Sequence, residues 1–114
     1  NQLEYCLGSL AEMTEGDLYE CTESYAQQQK IGYVHFRNVR GKVPHYKETF
    51  VDDGEIDMLR IVRILKRNNF QGVLIPDHAP QMSCEAPWHA GMAFALGYMR
   101  SALQIVERET NDSK

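Results

Sequence analysis

At 114 residues, 43% apolar and 25% charged, the chain fits one small globular domain and carries no low-complexity tract. A net charge of −4 offers no basic stripe for nucleic acid, and no apolar run approaches the roughly 20 residues of a membrane span. The opening NQLEYCLGSL lacks the charged and apolar regions of a signal peptide, so the expected setting is the cytoplasm.

Taken in order, LEYCLGS (3–9) reads as a short strand that breaks at Gly8. GDLYECTESYAQQQ (16–29) reads as a helix behind the N-cap Asp17, with Leu18, Cys21, Thr22 and Tyr25 on one face. IGYVHFRNV (31–39) is aromatic and β-branched, hence a second strand, and residues 40–54 read as a long loop. EIDMLRIVRILKRNNF (55–70) has the period of an amphipathic helix, with Ile56, Leu59, Ile61, Val62 and Leu65 inward. GVLIPDHAP (72–80) holds a third strand ended by Pro76. HAGMAFALGYMRSALQIVERE (89–109) is a long helix, and TNDSK a frayed tail.

Apolar strands alternating with helices argue for an α/β fold of parallel strands with outer helices. Three such units leave two open sheet edges, so the expectation is a partial barrel. Residues 1–114 would be the C-terminal segment of a single TIM-barrel domain, its last three βα units out of eight, with the N-terminal barrel half missing.

Barrel chemistry gathers where strands end. Cys6, His35 and Asp77 each lie at or near such an end, and thiolate, imidazole and carboxylate are all donors to a divalent transition metal. Alternation puts Arg37 on the side of His35 and Phe36 on the helix side, and a guanidinium there suits a carboxylate substrate. Each residue alone has a plainer reading: Cys6 as a core thiol, His35 as a hydrogen-bonded inner histidine, Arg37 paired with Asp77 or Glu48. The three cysteines, Cys6, Cys21 and Cys84, form no CxxC pair and are expected to be reduced.

CLGSLAEM (6–13), HFRNVRG (35–41), KETFVDDGEIDM (47–58) and IPDHAP (75–80), followed by AGMAFALGYMRS (90–101), resemble the C-terminal portion of mannonate dehydratase, from Glu4 to about Leu103. The resemblance implies a xylose-isomerase-like barrel that dehydrates D-mannonate to 2-keto-3-deoxy-D-gluconate in hexuronate (glucuronate) breakdown. It implies Mn²⁺, or Fe²⁺ or another divalent ion, held by Cys6, His35 and Asp77, with a further histidine ligand upstream. Arg37 and Asn38 would face the sugar-acid substrate, and His78 would be the acid/base group. The full-length protein would be a homo-oligomer, a dimer or larger.

The resemblance departs at CEAPWHAG (84–91), where the family has a Pro-Gly-Tyr segment; His89 or Tyr98 are the substitutes for its tyrosine. His45, Tyr46 and Glu48 are lid candidates in the long loop. Two other functions fit strand-end donors: a sugar isomerase or epimerase on the same barrel type, and a metal-binding module without turnover.

Overall fold

The computed structural model describes residues 1–77 and 79–112. Strand β1 (Leu3–Cys6) runs directly into a short helix α1 (Leu7–Ala11), and α2 (Leu18–Gln27) follows. Then come β2 (Ile31–His35), β3 (Asn38–Lys42), β4 (His45–Thr49), α3 (Met58–Arg67), β5 (Val73–Ile75) and α4 (Pro87–Asp112).

Three strands form a parallel sheet in the order β1-β2-β5, a mixed α/β architecture as expected. Helix caps set the helix starts. Asp17 Oδ1 accepts from the backbone N–H of Tyr19 at 2.8 Å and of Glu20 at 3.1 Å, and Asp57 Oδ1 accepts from Arg60 N at 3.0 Å. The second cap starts α3 at Met58 rather than at residue 55.

Alternation divides the sheet into two faces. Tyr5, Val34 and Phe36 point into the helix layer and are buried, with Leu74 packed against that core. They meet Ile61, Val62 and Leu65 of α3, and Ala95, Met99, Ala102 and Val106 of α4, spaced so that one stripe of the long helix is buried. On the other face lie Glu4, Cys6, Tyr33, His35, Val73 and Ile75, with Val73 59% and Ile75 37% exposed. That face has no covering layer among the described residues.

Four expectations are corrected. Residues 40–54 are not a bare loop: β3 and β4 pair antiparallel from Asn38↔Thr49 to Lys42↔His45 as a hairpin, with a cis peptide bond at Val43–Pro44. The strand expected over 31–39 is therefore two strands, parted at Phe36 and Arg37. The first strand stops at Cys6 rather than Gly8, because α1 begins at once. Helix α4 starts at Pro87 and runs through Thr110 to Asp112, where a frayed tail was expected. A fifth difference is smaller: Tyr25 is 39% exposed, and Ala26 takes the inward position on α2. No helix among the described residues is long and apolar enough to cross a membrane.

Candidate metal centre

The register of the sheet builds the site. Cys6 pairs with His35 across β1 and β2, and His35 with Ile75 across β2 and β5, so the three strands finish at one level. Phe36 N donates to Ile75 O at 2.8 Å, closing the last rung. Two residues beyond Ile75, past Pro76, Asp77 returns to the side of the sheet occupied by Cys6 and His35.

One donor atom each from Cys6, His35 and Asp77 lies within 4.8 Å of the others, and all three residues are partly buried. Ligands bound at about 2.0–2.3 Å and tetrahedral angles stand roughly 3.3–3.6 Å apart. His35 Nδ1 and Asp77 Oδ2 are already 3.6 Å apart. The set fits a divalent transition metal after small side-chain rotations, and three protein donors leave coordination positions for other ligands.

Beside this cluster Arg37 is 9% exposed. Nη1 donates to Glu48 Oε1 at 2.9 Å and lies 3.5 Å from Asp77 Oδ2, while Nη2 donates to Ser9 Oγ at 2.9 Å. Both pairings that the sequence offered as alternatives occur together, and Glu48 links the β3–β4 hairpin to the strand ends. The stem of Arg37 crosses Gly8, where an added Cβ would overlap Nε and stand 3.0 Å from Cγ.

Asn38 was expected to face substrate beside Arg37; the structure gives its side chain a different task. It is 1% exposed, and Nδ2 donates to Val51 O at 2.9 Å and Ile56 O at 3.1 Å. Oδ1 accepts from Val39 N at 2.9 Å and Ile56 N at 3.0 Å. All of its capacity goes to backbone groups, which clamp the segment between β4 and α3.

His78 lies outside the described residues. Trp88 and His89 are exposed at the start of α4, and His45 and Tyr46 are exposed on β4. Tyr98 packs against the core, where burial raises its hydroxyl pKa and the charges of Asp52 and Asp57 add to the rise.

Sequence reasoning passed over two residues. Ser9 comes beneath Arg37 because α1 follows β1 without a linker. Glu4 lies two residues before Cys6 and so shares its face; Glu4 Oε1 is 3.2 Å from His35 Nε2. The neighbouring Glu4 carboxylate also raises the Tyr33 hydroxyl pKa, with partial desolvation the lesser cause. A carboxylate two positions from a candidate ligand, in a segment read as a strand, was the available signal.

The family model described as D-mannonate dehydratase (UxuA) matches residues 1–110. A mannonate dehydratase of Oceanobacillus iheyensis is 34% identical over 99% of this chain and 33% of its own length. Those of Streptococcus equi subsp. zooepidemicus and Lactococcus lactis subsp. lactis are 35% and 30% identical, each over 68% of this chain and 22% and 23% of their own lengths. The chain thus spans a third or less of the curated relatives it matches. The crystal structure of mannonate dehydratase from Streptococcus suis serotype 2 superposes on 96% of the chain with a TM-score of 0.84 at 26% identity, covering 34% of that structure. Since the family match takes in every strand and all but the last residues of α4, the chain belongs to the D-mannonate dehydratase family.

Proposed function

We propose that the chain is the C-terminal portion of a mannonate dehydratase, contributing the last three βα units of a (β/α)8 barrel. The whole enzyme removes water from D-mannonate to give 2-keto-3-deoxy-D-gluconate in hexuronate breakdown. Its other barrel half covers the exposed face of the β1-β2-β5 sheet, and the complete protein works in the cytoplasm as a homo-oligomer. The observation that carries the reading is the convergence of Cys6, His35 and Asp77 at the ends of three neighbouring parallel strands.

In this reading Cys6, His35 and Asp77 hold Mn²⁺, or Fe²⁺ in its place. The bound ion supplies Lewis acidity that stabilises negative charge on the sugar acid. Arg37 holds the substrate carboxylate through its planar guanidinium, whose fork can donate two parallel hydrogen bonds. Dehydration requires the C2 proton to leave and the C3 hydroxyl to depart with a proton as water. His78, adjacent in sequence to a metal ligand, is the proton-transfer group. Asn38 supports the site from behind by fixing the segment that follows the hairpin.

The test is dehydration of D-mannonate by the full-length protein, with Mn²⁺ restored after chelation, comparing wild type with Cys6→Ser and His78→Asn. The expected result is metal-dependent keto acid formation, lost in Cys6→Ser together with the metal and lost in His78→Asn with the metal still bound. Metal bound at Cys6 without any keto acid from mannonate overturns the substrate assignment, and an aldose, ketose or epimer product would point to an isomerase.

A further inference from the structure

We propose that Glu4 is a positioning residue for the metal. Its carboxylate accepts the Nε2–H of His35 and so presents the unprotonated Nδ1 to the point that Cys6 and Asp77 share. This rests on the reading of His35 as a ligand and adds a residue which that reading does not contain.

The two ring nitrogens of His35 face different carboxylates at different ranges. Nε2 is 3.2 Å from Glu4 Oε1, within hydrogen-bond range, whereas Nδ1 is 3.6 Å from Asp77 Oδ2, outside it. The longer separation is close to that of two ligands on one cation, roughly 3.3–3.6 Å. A neutral imidazole has one N–H and one lone pair. The lone pair must face the metal, so the proton belongs on the nitrogen facing Glu4. Metal-bound histidines commonly donate their second ring N–H to a carboxylate, which fixes the tautomer and raises the basicity of the ligating nitrogen.

The sheet holds Glu4 in place for this. Its register partner is Tyr33, two residues down the strands from the Cys6↔His35 pair. Tyr33 and His35 share a face of β2, with ring centroids 5.6 Å apart. The carboxylate is thus placed by the register beside Tyr33 and within 3.2 Å of the His35 imidazole. The side chain is 54% exposed in this chain and lies outside the core between the sheet and its helices, so truncating it leaves that core intact.

The experiment is Mn²⁺ affinity of the full-length protein, measured by competition with a chromophoric chelator, for wild type, Glu4→Ala, Glu4→Gln and His35→Ala. Glu4→Ala is expected to weaken Mn²⁺ binding by roughly 10- to 100-fold with unchanged circular dichroism. Glu4→Gln keeps an oxygen acceptor and is expected to recover part of the loss. With Zn²⁺ in the site, the ¹⁵N spectrum of His35 should show a protonated Nε2 and a metal-bound Nδ1. Wild-type affinity in Glu4→Ala, Glu4→Gln as weak as Glu4→Ala, or the reverse assignment of the ring nitrogens would each overturn the proposal. His35→Ala separates the two levels: if it binds Mn²⁺ like wild type, the ligand reading itself fails. If it loses the metal while Glu4→Ala does not, only the role of Glu4 fails.

Discussion

Arg37 Nη1 lies 2.9 Å from Glu48 Oε1, joining the residue just past β2 to the far strand of the β3–β4 hairpin across the mouth of the donor cluster. The same guanidinium reaches Ser9 through Nη2 and Asp77 through Nη1, so its planar fork joins α1, β4 and the segment after β5. A lysine ammonium is a point charge on a flexible stem and cannot reproduce that geometry. In the full-length enzyme Arg37→Lys is expected to lower kcat/KM for D-mannonate by roughly 100-fold, chiefly by raising KM. Steady-state kinetics decide this, and an unchanged KM would separate Arg37 from the substrate carboxylate.

Gly8 gives a way to move Arg37 without deleting it. An added Cβ would overlap Nε and press on Cγ and Cδ, the middle of the side chain rather than its free end. Gly8→Ala is expected to displace the guanidinium at an overpacking cost of about 1–3 kcal/mol, which alanine's better helix propensity offsets only in part. Activity should fall by at least about tenfold, with the melting temperature lowered by several degrees and the chain still folded. Full activity in Gly8→Ala would mean that the position of Arg37 tolerates the shift.

Asn38 predicts the opposite pattern, a loss of stability. Removing its amide leaves Val51 O, Ile56 O, Val39 N and Ile56 N without their side-chain partner in a buried setting. At about 1–3 kcal/mol for a buried group left unsatisfied, and with some relaxation, Asn38→Ala should cost roughly 3 kcal/mol in urea unfolding. A cost under about 1 kcal/mol would show that the segment finds other partners.

The helix surfaces carry an acid-sensitive component. Hydrogen bonds from Arg67 and Asn68 hold the Glu23 carboxyl below its usual range, and those from Arg63, at 2.9 Å to each oxygen, do the same for Glu109. A carboxyl whose pKa is lower folded than unfolded binds fewer protons in the folded state. Its stabilisation is therefore complete above the unfolded carboxylate value of about 4.3 and disappears as pH falls through the folded value. Thermal melts of wild type and Glu109→Gln should differ slightly at neutral pH and converge at strongly acid pH, and the neutral-pH difference should shrink in high salt. A gap that persists at low pH would assign the effect to something other than the ion pair.

The parallel sheet, the amphipathic α3 and the Asp17 cap were legible because each depends on local periodicity or on one side chain meeting its own backbone. The hairpin was not. His45, Tyr46, Lys47 and Glu48 are all exposed, so β4 lacks the alternation that marks a half-buried strand. Cys6, His35 and Asp77 could be picked out because ligand chemistry is intrinsic to residue type and strand ends are readable. What Asn38 does was hidden, since a polar residue following an arginine near a strand end has the same spelling whether it meets a substrate or a backbone. Glu4 was hidden for a related reason: its partner His35 is distant in sequence and comes near only through the register of β1 on β2.

That register has a further meaning for assembly. Cys6, His35 and Asp77 are far apart along the chain and meet only when β1, β2 and β5 align at the level of Cys6↔His35↔Ile75. A slip of one residue on any of these strands would swing its donor to the opposite side of the sheet. A cation seated among the three would therefore act as a proofreader of strand alignment, rewarding one pairing and none of its neighbours, so that its binding free energy would also count toward folding.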